Sequence, residues 1–540
     1  MRHSRLSLPL SLLAIAVLLG APALLSNCGG GKSPSPSGRK VPRVVLITID
    51  TLRADRLHCY GYERPTSPNL DRLASEGILF ENAQVPRGST WPSLTTILTG
   101  KYPITHGVRS NRQNMRAEHL YITEIFQEAA YTTAGFITNM FRAPYRGFDT
   151  GPEKFFVPMT HAEADRAATD AARAWLRENR EEDFFLWVHY IDPHKPYSPE
   201  PEFDQFTDPN FEFQIPAGFV SDRDKQGRKI PEERTPLDDY LQHVTEQRIE
   251  LTDEELAHIQ GLYDGEILAV DHEIGRLLDA LDELGLTEDT LVVFTSDHGE
   301  EMYDRHHYFY HANSVYEGVL HVPMMMRLPG TIPKGVREAT LVEASDVAPT
   351  IFDLAEIGTD ERFDGATLRP LIMGEGYRQR SFQSFGEDAA DLNDAAFGEF
   401  AERLDGKQPI YTVRRGDWKL IYNPDGIAPG LAPYRLKGET RFTIGREELY
   451  NLKADPGETQ NLIEDEKERA KELRVLADKY RDLLAVRAGA ADPMTYDQLL
   501  NAVVLGYVFE DAAREDARKL FDKSPEEFDQ DLQRRRKGKE

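Results

Sequence analysis

Three residues from two distant parts of the chain carry metal-ligand chemistry. Asp50 closes the segment VVLITID, and Asp297 and His298 stand side by side in SDHGE. Two carboxylates and a neutral imidazole suit a divalent cation. Mixed oxygen and nitrogen donors lean toward zinc or manganese over calcium. An Asp-His pair after a strand is often incidental, so the segment Thr90 to Gly100, TWPSLTTILTG, carries extra weight. Thr90 is expected to lead into a helix over Ser93 to Leu98, whose first N–H groups attract an anion. The plainer reading is a threonine that only caps that helix. His194 in DPHKP and His311 in HHYFYHAN add two imidazoles. With an ordinary pKa of about 6.5, each suits an acid or a hydrogen-bond donor.

These residues need a scaffold that delivers them to one place. Val41 to Thr48 is short and mostly apolar, as expected of a strand buried on both faces in a parallel sheet. Phe184 to His189 and Thr290 to Thr295 read the same way. Helical patterns run from Ser67-Pro68-Asn69 to Gly77, over Ala162 to Arg177 and over Leu262 to Leu284. Alternating strands and helices predict an α/β fold, a mainly parallel central sheet flanked by helices. Ligands bind beyond the carboxyl ends of such strands, where Asp50, the segment after His189 and Asp297-His298 all fall. Asp204 to Glu255 is polar and weakly periodic, an excursion or a lid. Pro409 to Tyr422 predicts a hairpin turning at Gly416, Glu448 to Leu452 another strand, and Asp465 to Arg487 a helix. The expected parts are therefore a catalytic domain over 43–375, a small antiparallel-sheet subdomain over 376–465 and a charged helical tail over 466–540.

Composition excludes several classes. Of 540 residues 40% are hydrophobic and 29% charged, which excludes global disorder. A net charge of −27 repels nucleic acid, so none is expected as a partner. Two cysteines, Cys28 and Cys59, exclude a disulfide framework and a cysteine zinc cluster. The N-terminus is basic, then apolar from Leu6 to Leu25, the pattern of a secretory signal over 1–27. LSNCGGG resembles a bacterial lipoprotein signal, with Asn27 where a smaller residue is usual. That resemblance implies acylation of Cys28 and a lipid anchor on a membrane of the cell envelope; Ser33 to Lys40, SPSPSGRK, reads as a flexible tether within 28–42. Cys59 is then a free thiol.

The motifs VLITIDTLR, TWPSLTTILTGKYPITHG, HYIDPHKPY, SDHGE and HVPMMMRLPG occur in the order of the sulfatase family, part of the alkaline phosphatase superfamily. SDVAPTIFDL, GDWKLI and ELYNLKADPGETQNL agree, so the resemblance spans about Val44 to Leu462. It implies hydrolysis of an anionic ester. The departures bear on mechanism. Sulfatases oxidise a Cys or Ser in C/S-x-P-S-R to formylglycine; here the chain reads Thr90-Trp91-Pro92-Ser93-Leu94. The usual paired aspartates are Asp50-Thr51, and the basic pair of GKWHLG is missing near Ile137 to Phe141.

Threonine nucleophiles occur elsewhere in the superfamily, beside an acidic residue and an Asp-His pair. Asp50, Thr90, Asp297 and His298 resemble that set. A bound cation would lower the hydroxyl pKa and offset charge on the transferred group. The resemblance thus implies covalent attack by Thr90, with His194 and His311 holding the transferred group or protonating the leaving oxygen. One divalent ion (zinc, manganese or calcium) is expected. A second, on Asp192, His194 and His311, is a further option. Asn111 and Lys101 are candidates to line the pocket, while His189, His306 and His307 are expected to be structural. The substrate class is a small-molecule, glycan or lipid-headgroup ester of phosphate or sulfate, hydrolysed or transferred. Two other readings stand beside this one: a sulfuric ester hydrolase with an unconventional nucleophile, and a non-catalytic surface binding lipoprotein.

Overall fold

The computed structural model describes residues 43–111, 113–116, 118–138, 154–156, 164–215, 237, 240–241, 244, 249–304, 309–311, 314–375, 394–400, 409–424, 446–487, 517–518 and 523–537. The signal and tether, with Cys28, lie outside these residues, as do His306, His307, 139–141 of the segment weighed against GKWHLG, and most of the 204–255 excursion.

The main sheet has eight strands: β1 Arg43–Ile49, β2 Ile78–Gln84, β3 Thr132–Ile137, β4 Lys154–Phe156, β5 Phe184–Tyr190, β6 Thr290–Ser296, then, after a two-stranded ribbon (β7 Glu301–Met302 and β8 Phe309–Tyr310), β9 His321–Arg327 and β10 Val336–Glu343. Their spatial order is β10-β2-β9-β6-β1-β5-β3-β4. β1 pairs in parallel with both β5 and β6, and β2 with β10. β9 alone runs the other way, antiparallel to β2 and β6. The parallel sheet expected from the apolar runs is therefore present, with one reversed strand that the sequence pattern did not reveal. β1 is buried along its whole length. Its side chains alternate between two layers: Val44 and Leu46 face one core, Val45, Ile47 and Ile49 the other.

Helices α1 (Pro68–Glu76), α3 (Ala164–Glu178) and α4 (Asp253–Glu283) pack on the second of these layers. Helix α2 (Thr90–Thr99) packs on the first, and all ten of its residues are buried. It starts three residues before the expected Ser93, because Pro92 is accommodated in the first turn, where its missing N–H costs nothing. A second sheet joins β11 (Ala396–Phe400), β12 (Ile410–Arg415), β13 (Trp418–Tyr422) and β14 (Glu447–Asn451), all antiparallel. The expected hairpin is β12–β13, and Gly416 has φ +59° in its turn. Helix α5 (Lys467–Arg487) covers this sheet through Leu473, Leu476 and Tyr480, and a further helix, Pro525–Lys537, is described in the tail.

Candidate active site

Every segment that carries a site residue leaves the carboxyl end of a main-sheet strand. Asp50 follows β1 and Asp297 follows β6. The turn to Thr90 follows β2, and the turn to His194 follows β5. The ladder continues one residue past each metal-ligand strand: the Asp50 amide donates to the Tyr190 carbonyl (2.9 Å) and the Asp297 amide to the Ile49 carbonyl (3.0 Å). Asp50 and Asp297 are therefore held by the same hydrogen bonds that make the sheet.

Asp50, Asp297 and His298 each offer one ligand atom, and these atoms lie within 4.8 Å of one another. His298 Nε2 is 3.7 Å from Asp50 Oδ1 and 3.7 Å from Asp297 Oδ2. Thr90 Oγ1 is 3.4 Å from the same Nε2. All four residues are fully buried. The donor set fits a divalent cation. His298 Nδ1 faces the Gly299 carbonyl at 2.9 Å, which fixes the proton there and leaves the Nε2 lone pair facing the carboxylates. Asp297 Oδ1 accepts the amides of Thr51 (3.3 Å) and His298 (2.7 Å), whereas its buried Oδ2 has no hydrogen-bond donor. Burial lifts the Asp297 carboxyl well above the usual range and presses His298 well below it. A cation among them would reverse the first of these tendencies and sustain the second.

Thr51, where sulfatases carry a second aspartate, sits at φ +59°. A β-branched residue in that region is strained. Tyr263 holds it there by donating to the Thr51 carbonyl at 2.6 Å.

The two other predicted histidines join the group. The His311 ring centroid is 4.4 Å from that of His298 and 5.4 Å from that of His194. His311 Nδ1 meets Glu300 Oε1 at 3.1 Å, and His194 Nδ1 meets the Lys195 carbonyl at 2.8 Å. Burial, with the Lys195 charge, brings His311 down to about 3, so its imidazole is neutral in this setting. Lys195 itself lies over the Tyr310 ring, Nζ 4.6 Å from the centroid. Glu300 and Lys195 went unremarked in the sequence. Their signal was position alone: one lies two residues after a ligand, the other beside His194.

Other expectations are corrected. Asp192, His194 and His311 do not form a metal-ligand group among the described residues, and burial with the charges of Glu266, Asp165 and Glu200 raises the Asp192 carboxyl. Among the described residues only the Asp50 group can close on an ion. Lys101 does not line the site. It ends α2's far side, paired with Glu361 at 2.6 Å and resting on Phe363. Asn111 does reach α2, the helix that Thr90 opens, where its Oδ1 accepts the Trp91 amide at 3.1 Å. The anion affinity expected of that helix is narrower than foreseen. Trp91's amide is taken by Asn111, Pro92 has none, and Ser93's is bonded to the Ser89 carbonyl. Among the described residues, that leaves the Thr90 amide in the first turn. His189 is buried in β5 and bonds Thr48 Oγ1 at 2.9 Å.

The sulfatase family model matches residues 42–357, and the model for the N-sulphoglucosamine sulphohydrolase C-terminal region matches 305–423. An N-acetylglucosamine-6-O-sulfatase of Bacteroides thetaiotaomicron is 25% identical over 85% of this chain and 87% of its own length. Among solved structures, a protein in complex with its substrate D-glucosamine-2-N,6-O-disulfate superposes with a TM-score of 0.61 at 22% identity, over 83% of this chain and 99% of that one. The phosphonate monoester hydrolase of Agrobacterium radiobacter gives 0.59 at 22% identity, over 83% and 96%. The chain belongs to the sulfatase family and is an ester hydrolase.

Proposed function

We propose that this member of the sulfatase family cleaves its sulfate or phosphate ester by covalent attack of Thr90, with Asp50, Asp297 and His298 holding one divalent ion. The observation that carries the reading is the approach of Thr90 Oγ1 to 3.4 Å from His298 Nε2, the atom shared by both carboxylate contacts. When bound, the ion supplies positive charge that lowers the hydroxyl pKa and offsets charge on the transferred group.

The chain's own residues do the rest. The Thr90 oxygen forms a bond to phosphorus or sulfur as the bond to the leaving oxygen breaks, in line. The Thr90 amide donates to an oxygen of the transferred group. His194 and His311, both kept neutral by burial, hold that group by hydrogen bonds, and Glu300 fixes the orientation of the His311 ring. Water, or another acceptor, then takes the group from Thr90. Full burial of Thr90 supports the reading, because positioning and electrostatics are worth most where bulk water is excluded.

The substrate is an anionic ester. A sulfated sugar is favoured by the named substrates of the sulfatase relatives, a phosphate or phosphonate ester by the threonine and by the phosphonate hydrolase likeness. Turnover of 4-nitrophenyl sulfate against bis(4-nitrophenyl) phosphate, with zinc or manganese added, decides between them. Thr90→Ala is expected to abolish turnover in a protein that still folds; unchanged turnover would remove Thr90 from the mechanism. The enzyme is further assigned to the cell envelope through a lipid on Cys28, on the strength of the basic, apolar and cysteine-terminated leader.

A further inference from the structure

We infer that Glu399, supplied by the small second sheet, is a positioning residue for the Thr90 nucleophile; this rests on the reading of Thr90 given above. β11 is the outer strand of its sheet, bonded on one side to β12 with Glu399 opposite Tyr411. Its other edge docks on the catalytic body through alternate residues, as a strand edge must. The Phe397 amide donates to Glu343 Oε1 at 2.9 Å, and the Glu399 amide donates to the Pro86 carbonyl at 2.9 Å.

Glu399 then uses its remaining polar atoms on the segments that flank Thr90. Its carbonyl accepts Arg87 Nη1 at 3.2 Å. Its carboxylate accepts Arg109 in a two-pronged bond, Nε at 2.9 Å and Nη2 at 2.7 Å. Arg87 Nη2 in turn donates to the Arg109 carbonyl, and the Arg87 carbonyl receives Ser93 Oγ at 2.6 Å, inside the first turn of α2. Two residues beyond Arg109, Asn111 holds the Trp91 amide. The turn before Thr90 and the loop that caps its helix therefore meet on one buried residue, Glu399: Arg87 on its carbonyl, with the carboxylate 4.0 Å away, and Arg109 on its carboxylate. At Gly88, between Arg87 and Thr90, an added Cβ would lie 2.4 Å from Val319 and 3.0 Å from the His311 carbonyl. The turn is thus packed closely against the 311–319 segment on one side and hydrogen-bonded to β11 on the other.

Glu399 touches none of Asp50, Asp297 and His298 among the contacts described, so its loss should move the nucleophile and leave the metal donors in place. The test uses the full chain, loaded with zinc or manganese, acting on bis(4-nitrophenyl) phosphate or 4-nitrophenyl sulfate, whichever the wild type turns over. For Glu399→Gln the expected result is a kcat lowered at least tenfold, since sub-ångström misplacement of a reacting group is costly. KM should stay within about twofold, with bound metal per chain and the unfolding temperature near wild type. Gln keeps the shape but leaves Arg109 uncompensated, so the double variant Glu399→Gln/Arg109→Gln is expected to recover part of the lost kcat. A kcat within twofold of wild type in Glu399→Gln overturns the proposal. So does a loss of kcat that follows loss of metal or of folded protein, or a double variant that is additively worse. If wild type is active and Thr90→Ala equally so, the Thr90 reading has failed instead, and the two failures are told apart.

Discussion

Asp297→Asn separates metal binding from folding, because its effect on stability should appear only with the ion. Asp297 Oδ1 is fixed by two amide donors, at 3.3 and 2.7 Å. An asparagine would keep its carbonyl oxygen there and turn its NH2 into the place of Oδ2, 3.7 Å from His298 Nε2. Without metal that NH2 can donate to the imidazole. It also replaces a carboxyl that burial already drives toward its neutral form, so the metal-free variant should be as stable as wild type within about 1 kcal/mol. With metal, the variant lacks one anionic donor and aims N–H groups at the cation. Unit charges about 4 Å apart attract by roughly 4 kcal/mol at an effective dielectric of about 20, and a doubly charged ion doubles that. The ion's lost hydration returns about half, leaving about 3–4 kcal/mol, or roughly 10²- to 10³-fold in affinity. At a metal concentration about 100 times the wild-type Kd, binding adds about 2.7 kcal/mol to wild-type stability; if Kd rises about 100-fold it adds only about 0.4. Unfolding followed with chelator and then with zinc or manganese, alongside metal analysis, reads both halves. A variant that keeps the metal-induced rise, or that loses as much stability in chelator as in metal, would refute the assigned ligand set.

Three further outcomes follow from the same geometry. Burial alone would raise the Glu317 carboxyl, but Lys419 and Arg414, each at 2.8 Å, outweigh it and bring it down to about 2. Its contribution is therefore complete above about pH 4.5 and is lost as pH falls toward 2. Glu317→Gln should cost about 3 kcal/mol near neutrality, and the gap should narrow below pH 4.5 in denaturation series; a gap independent of pH would contradict the ion-pair account. Thr51→Gly should leave stability unchanged or raise it by about 1 kcal/mol, since glycine relieves the φ +59° strain; a loss above about 1 kcal/mol in guanidinium titration would show that the threonine side chain contributes more than its backbone costs. Thr90→Ser should keep measurable turnover where Thr90→Ala has none, because the attacking oxygen is retained; equal inactivity would point to the methyl group as essential.

The chemistry-bearing residues were legible because parallel strands advertise themselves. β1, β5 and β6 are continuous apolar runs, and a polar residue at the end of such a run has one place to be. Strand direction is not written that way. HVPMMMR is as apolar as its neighbours, yet β9 runs against them, since side-chain pattern is the same in either direction. Nor are partners distant in sequence. Lys101 looks like part of the nucleophile segment until Glu361, 260 residues on, is seen to hold it. Asp192 lies between two histidines in its motif, but among the described residues it joins no metal-ligand group with them, and acidic neighbours far off in sequence raise its carboxyl. Glu399 bears no motif at all, and its bond to Arg109 spans 290 residues.

That last contact matters because of the sheet order. Asp50 and Asp297 leave adjacent strands, β1 and β6, and a shared ladder sets their separation. Thr90 leaves β2, which is separated from β6 by the reversed strand β9. No ladder bond connects β2 directly to β6, and the chain from Gln84 to Thr90 has to cross the end of β9 before α2 begins. The Val85 amide bonds the Leu320 carbonyl just ahead of β9, and from there the turn rests on Pro86, Arg87 and their partners on β11. Asp50 and Asp297 are thus placed by the main sheet, whereas Thr90 is placed by the meeting of two sheets. A loosened interface between them should therefore lower the rate of chemistry before it weakens the hold on the ion.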